Sequence, residues 1–201
     1  GHGLGVAPEV VWIKKRSGGG NEGFYAYMKA IGAGNTLSLS ETGAEAAASS
    51  LFQSTDATSS VFYIGTHNSV NNSGSEYVAY SFAPIKGFSK FGEYTGNGEP
   101  SGDAPFIYTG FKPAFVIIKS SSYAGQHWVL IDNKRLGYNG SAAWLKVDST
   151  SAELTNLTNA DFVANGIKLQ SNDNTYNKNG QTYIYMAFAE EPLVSSNNVP
   201  A

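Results

Sequence analysis

No cysteine occurs in the 201 residues, so neither a disulfide framework nor a thiolate metal site is available. Charge is scarce as well: Asp, Glu, Lys and Arg make up 14% of the chain, against roughly 25% in an average soluble domain. The net charge is −3, and the one dense basic run is Lys14-Lys15-Arg16. A nucleic-acid binder needs a basic face to neutralise phosphates, so that partner class is set aside and the run reads as the solvated end of a strand. No apolar stretch approaches the roughly 18 residues that read as a membrane span, so membrane insertion is not expected. Histidines number three and none stands in a zinc-ligand spacing, so no metal and no cofactor is expected.

What replaces charge is Gly, Ser, Thr and Asn, with 23 glycines. Aromatics reach 13% and hydrophobics 41%, enough to fill a real core. Such a composition suits short strands joined by tight turns and serves long helices poorly. The expected fold class is all-β, a β-sandwich-type architecture with at most short helices.

Comparing the chain with itself organises it. Gly5-Val6-Ala7-Pro8-Glu9-Val10-Val11-Trp12-Ile13-Lys14 returns 105 residues later as Gly110-Phe111-Lys112-Pro113-Ala114-Phe115-Val116-Ile117-Ile118-Lys119. Each copy reads as a turn and a proline followed by a strand, and the unbroken apolar run predicts burial on both faces. A second pair, Gly74 to Ala83 and Gly180 to Ala189, stands at an offset of 106 with Tyr, Phe and Ala in register. Val61-Phe62-Tyr63-Ile64 and Gly166-Ile167-Lys168-Leu169 occupy equivalent places between these anchors. The chain is therefore expected to be two pseudo-repeated β halves, 1–87 and 88–201, the second with a C-terminal tail. In the second half, Phe91 to Gly98 and Phe106 to Thr109 read as an opening hairpin. The first half has no equivalent, and its opening strand is expected upstream of Gly1 in a longer parent chain. Short helices are considered at Glu41 to Leu51, capped by Thr42, and at Asp148 to Leu157.

No constellation for catalysis emerges, and the chain is expected not to be an enzyme. There is no G-x-S-x-G elbow, phosphate-cradling loop or dinucleotide fingerprint, and Gly96-Asn97-Gly98 reads as a turn. No Asp or Glu pair stands out for glycoside hydrolysis. Asp161 and Asp173 read as turn residues, Asn172-Asp173-Asn174 as an Asx turn, and Glu190-Glu191 as a solvated end. Binding is chemically easier, because aromatic faces stack on sugar rings while Asn, Ser and Thr supply hydrogen bonds. The candidate ligand-binding residues are Tyr25 (with Asn21 and Glu22 nearby), Tyr123 with His127, Tyr138 with Asn139, and Tyr176 (with Asn177 beside it).

The segments Gly3 to Pro8, Tyr94-Thr95-Gly96-Asn97-Gly98, Tyr108 to Pro113 and Tyr183 to Ala189 together carry a resemblance. The chain resembles a β-rich repeat domain of tail-fibre and other virion structural proteins of tailed phages, many of them marine. The resemblance covers nearly the whole chain and implies a virion-surface, extracellular setting, with a host glycan or receptor and other virion proteins as partners. It implies a homo-oligomer, a trimer by preference, and it carries no catalytic or ligand residues to transfer. The expected function is a receptor-binding or tail-fibre domain. The alternatives are a non-binding structural module, such as a capsid decoration or fibre shaft, and a polysaccharide depolymerase.

Overall fold

The computed structural model describes residues 1–18, 23–135, 139, 142–157 and 160–192. Three sheets hold 38% of the described residues against 8% in helix, so the fold is all-β and of sandwich type. The chain divides into two compact units, 1–84 and 85–201.

Unit 1 is a five-stranded antiparallel sheet. Its strands are β1 (Val10–Lys15), β2 (Phe24–Met28), β3 (Asn35–Ser38), β4 (Ala46–Ala47) and, closing the unit, β5 (Tyr77–Phe82), in spatial order β4-β3-β2-β1-β5. Two single-turn helices, α1 (Ser49–Phe52) and α2 (Asn68–Asn71), cross one face. Leu51, Phe52 and Val70 from these turns meet Val11, Ile13 and Tyr27 of the sheet in one core. Burial of Val10 and Val11 at adjacent β1 positions, which point to opposite faces, shows both faces of that strand covered, as its unbroken apolar run predicts.

Unit 2 is a sandwich. Its strands are β6 (Ser89–Thr95), β7 (Phe106–Tyr108), β8 (Pro113–Ser120), β9 (Val129–Asp132), β10 (Ala142–Lys146), β11 (Leu154–Leu157), β12 (Ala160–Val163), β13 (Gly166–Leu169) and β14 (Thr182–Ala189). A six-stranded sheet, β11-β10-β9-β8-β14-β6, opposes a three-stranded one, β12-β13-β7. Val116, Ile118, Val129, Ile131 and Tyr183 from the first pack against Ile107, Phe162, Ile167 and Leu169 from the second. A single turn, α3 (Asn174–Asn177), leads into β14.

The internal repeat is visible strand for strand. In unit 1, β1 pairs with β5 so that Lys14 faces Val78. In unit 2, β8 pairs with β14 so that Lys119 faces Ile184, the same register at the offsets of the sequence repeat. The turn before the last strand is duplicated in atomic detail. Tyr77 Oη donates to the Asn68 carbonyl (2.7 Å) and accepts from Asn72 N–H (2.7 Å); Tyr183 Oη donates to the Asn174 carbonyl (2.7 Å) and accepts from Lys178 N–H (2.8 Å). His67 caps α2 by accepting from Ser69 N–H, and Asp173 caps α3 by accepting from Thr175 N–H.

Four expectations are corrected. Glu41 to Leu51 is not a helix: Ala46 and Ala47 pair with Thr36 and Asn35 at the sheet edge, and only Ser49–Phe52 is helical. Alanine's helix propensity, a few tenths of a kcal/mol per residue, yields to backbone pairing and to burial of Leu51 and Phe52. Asp148 to Leu157 contains no helix, and its end forms edge strand β11. Phe91 to Gly98 and Phe106 to Thr109 do not form a hairpin, since β6 pairs with β14 and β7 with β13. Val61 to Ile64 is not a strand although its counterpart is β13; Phe62 and Ile64 pack against the unit 1 core from an irregular segment.

Candidate functional site

In unit 1 the backbone of the α1 turn and the segment entering α2 approach closely. Gly65 N–H donates to the Leu51 carbonyl (2.6 Å), and His67 N–H to the Ser50 carbonyl (2.9 Å). A Cβ on residue 65 would stand 2.0 Å from the Ser50 carbonyl oxygen, so this approach requires glycine. The result is an open depression of about 470 Å³ lined by Ser50, Thr66, His67 and Asn68. His67 Nδ1 accepts the Ser69 N–H (3.1 Å), which makes Nε2 the protonated nitrogen of the neutral ring. Tyr25 meets His67 edge-on, ring centroids 6.1 Å apart at 71°, so the candidate aromatic touches one of the residues that line the depression.

In unit 2, Tyr123 and His127 share the loop between β8 and β9, but each has a protein partner. The Lys178 ammonium sits 3.6 Å from the centroid of the Tyr123 ring. His127 Nδ1 lies 3.0 Å from Asp148 Oδ1, whose carboxylate is fully buried. Asp148 also acts on Lys119, a fully buried lysine that donates to the Ser120 carbonyl (2.9 Å). Burial drives the Lys119 ammonium down to about 8, and the Asp148 charge works against that fall. Asp148 is thus shared between buried Lys119 on β8 and half-buried His127, and these contacts fix the loop that carries Tyr123.

The remaining candidates are structural or lie elsewhere. Tyr176 is 2% exposed in the unit 2 core, where burial pushes its phenol up to about 12, so its ring is closed to a ligand. Asn139 holds a positive φ of 52°, and its carboxamide bonds both the N–H (2.8 Å) and the carbonyl (3.0 Å) of Phe162. It thereby imitates a neighbouring strand for β12. Tyr138, Asn21 and Glu22 lie outside the described residues. Asp161 lies in β12 rather than a turn and accepts from Gln170. Among the described residues no group of three His, Asp or Glu side chains is placed to hold a metal ion, and no helix is long and apolar enough to cross a membrane.

Sequence reasoning left His67, Thr66 and Asn68 outside its candidates, gave Asn71 no role, and took Asn177 for a ligand-binding neighbour of Tyr176, whereas it is buried and structural. The signal was present: aligning 65–77 on 171–183 superposes Asn68 on Asn174, Asn71 on Asn177, Gly74 on Gly180 and Tyr77 on Tyr183. Asn177 is fully buried. Its Oδ1 accepts from Asn97 N–H (2.9 Å) and Gly98 N–H (3.3 Å), and its Nδ2 donates to the Glu99 and Ser171 carbonyls (both 2.9 Å).

The family model for a domain of unknown function, DUF7483, matches residues 1–192. The chain belongs to this DUF7483 family. The match spans both units, so the duplicated turn-and-strand arrangement lies within a single family domain. No curated protein and no solved structure matches the chain.

Proposed function

We propose that this DUF7483 protein is a virion-surface module of a tailed phage, a tail-fibre or receptor-binding domain that engages a host surface glycan or receptor without catalysing its breakdown. The phage setting rests on the sequence resemblance. The observation that carries the binding role is the unit 1 depression. It combines hydroxyl, imidazole and carboxamide groups with the Tyr25 ring set against His67, the mixture of short polar donors and aromatic surface that suits a sugar. The scarcity of charge on the chain fits recognition of a largely neutral glycan by hydrogen bonds and stacking.

The test is binding of the purified chain to host cells and to a glycan array, with Thr66→Ala and Asn68→Ala as variants. Both residues are exposed, so the fold should survive their truncation. Wild-type binding that falls about tenfold or more in the double variant is the expected result. Absence of binding to cells and array sinks the reading, and release of sugar from host polysaccharide replaces it with a depolymerase. A homo-oligomer, a trimer by preference, belongs to the proposal and is read from the mass by light scattering. The structural alternative, capsid decoration or fibre shaft, is favoured by the open edge of β5; locating the protein on the particle separates the two.

A further inference from the structure

The two units end in the same strand, but only one of these strands is covered. In unit 2, β6 runs along the outer edge of β14, with Tyr94 opposite Tyr183 and Gly92 opposite Tyr185. Beneath it, Tyr183, Ile184, Tyr185, Met186 and Ala187 are all at most 4% exposed. In unit 1 the sheet stops at β5, and among the described residues no strand lies along its outer edge. Ala79 is exposed and Tyr80 is 49% exposed, where the equivalent Tyr185 and Met186 are buried.

The orientation of the edge follows from its inner bonds. Phe82 and Glu76 turn their carbonyls inward, accepting from Glu9 N–H (2.9 Å) and Arg16 N–H (2.7 Å). By the alternation of an antiparallel ladder, Tyr77, Ala79 and Ser81 present N–H and C=O outward. Their counterparts Tyr183, Tyr185 and Ala187 are the residues whose outward groups serve the ladder with β6.

Unit 1 also keeps the fittings that receive β6 and the turn after it. In unit 2 the incoming Tyr94 stacks on Tyr183, centroids 5.2 Å apart and planes 13° apart, and donates to the Tyr176 carbonyl (2.7 Å). The following Thr95-Gly96-Asn97-Gly98 is held by Asn177. In unit 1, Tyr77 stands where Tyr183 does, on the same two backbone bonds. Asn71 stands where Asn177 does and donates Nδ2 to the Gly65 carbonyl (3.0 Å), as Asn177 does to Ser171. Asn71, however, is exposed, and among the described residues no turn is held by its Oδ1.

We infer that the outer edge of β5, with Tyr77 and Asn71, is an acceptor site for an extended polypeptide segment of the β6 kind: an aromatic residue, two further residues, then Tyr-Thr-Gly-Asn-Gly. Binding is by strand addition. Main-chain bonds to Tyr77, Ala79 and Ser81 supply affinity; the tyrosine stacked on Tyr77 and the turn captured by Asn71 supply register and specificity. A strand without the glycines does not fit the turn, since a Cβ at residue 96 of the unit 2 copy would lie 2.4 Å from the Lys178 carbonyl oxygen.

The experiment adds a synthetic peptide of residues 88–99 to the full chain and follows amide hydrogen exchange. Saturable slowing of exchange in 77–82 is expected, with loss of the effect when the peptide carries Tyr94→Ala. In the Asn71→Ala protein, peptide affinity should fall about tenfold. Asn71 is exposed, so the variant should fold, and its unperturbed exchange elsewhere verifies that. Three results overturn the inference: no protection at about 1 mM peptide, a bound strength without specificity; protection of 182–189 in place of 77–82, meaning that the peptide only displaces β6; and protection of 77–82 that grows with protein concentration alone, meaning that a second copy covers the edge.

Discussion

Replacing Asn177 by alanine tests how the family turn is held. The side chain is fully buried and makes four hydrogen bonds, all to main-chain groups: Asn97 N–H, Gly98 N–H, and the Glu99 and Ser171 carbonyls. Each such bond contributes about 0.5–1.5 kcal/mol net, and a buried partner left unpaired costs about 1–3 kcal/mol. Asn97 and Glu99 are exposed, so water reaches their freed groups and softens the loss. Gly96 N–H still bonds the Gln181 carbonyl, Gly180 N–H the Gly96 carbonyl, and Gly98 N–H the Asn177 carbonyl, so the turn stays attached by its backbone. The expected cost is therefore about 2–4 kcal/mol, below the simple sum of four bonds and their penalties.

Asn71→Ala is the matched control. It removes one bond from an exposed side chain and should cost under about 1 kcal/mol. Urea unfolding of the two variants gives the comparison, with amide exchange at Asn97 and Gly98 reporting the site directly. Equal costs for the two substitutions, or a loss in Asn177→Ala below about 1 kcal/mol with unchanged exchange at Asn97, would refute the reasoning.

Lys119 makes stability depend on pH on the alkaline side. Its ammonium falls from the usual 10.5 to about 8 when folded, so between these values the unfolded chain holds a proton that the folded chain has lost. Stability should therefore rise with pH from about 8 to 10.5, and the cost of burying the charge is fully present below 8. Lys119→Met should abolish this rise, leaving stability flat between about pH 8 and 10.5, read from urea midpoints across pH. Gly166→Ala should destabilise unit 2 by about 1–3 kcal/mol, because its Cβ would lie 2.3 Å from the Ile107 carbonyl oxygen, which belongs to a paired strand that cannot retreat. Gly43→Ala meets nothing within 4 Å and should be neutral or stabilising by a few tenths of a kcal/mol, checked by thermal melts of the two variants.

The equivalence of β1 with β8 and of β5 with β14 was legible because repetition in a sequence survives any uncertainty about local conformation; that each half pairs its two strands was not. Two matched segments at nearly one offset must play equivalent parts, and their apolar runs declare burial. The strand partners of β6 and β7 were not legible. Their proximity in sequence favours a hairpin, whereas the fold places β6 on β14 and β7 on β13. That choice is made by contacts some 80 residues away, Asn97 with Asn177 and Tyr94 with Tyr176. The alanine-rich stretch misled for a related reason, since edge pairing of Ala46 and Ala47 outweighs a helix preference that is small per residue. At the candidate site, Tyr25 was read as a loop aromatic but stands in β2 opposite Ile13, and the depression near it depends on Gly65 admitting the Ser50 carbonyl, a long-range approach without a local signature.

The same nonlocal logic explains why equivalent residues differ so much in environment. Tyr77 and Tyr183 have the same two backbone partners at nearly the same distances, so the turn motif closes on itself from local sequence alone. Ala79-Tyr80 and Tyr185-Met186 diverge because, among the described residues, a neighbouring strand lies along only one of the two edges. The chemistry of the edge residues agrees with this. β14 carries Tyr185 and Met186 where β6 covers it, while β5 carries the small Ala79 and a tyrosine whose hydroxyl tolerates water. The edge covered by β6 is part of the unit 2 sandwich core, whereas along β5 Tyr77 stays half-buried and Asn71 exposed, as a surface that takes up a strand requires.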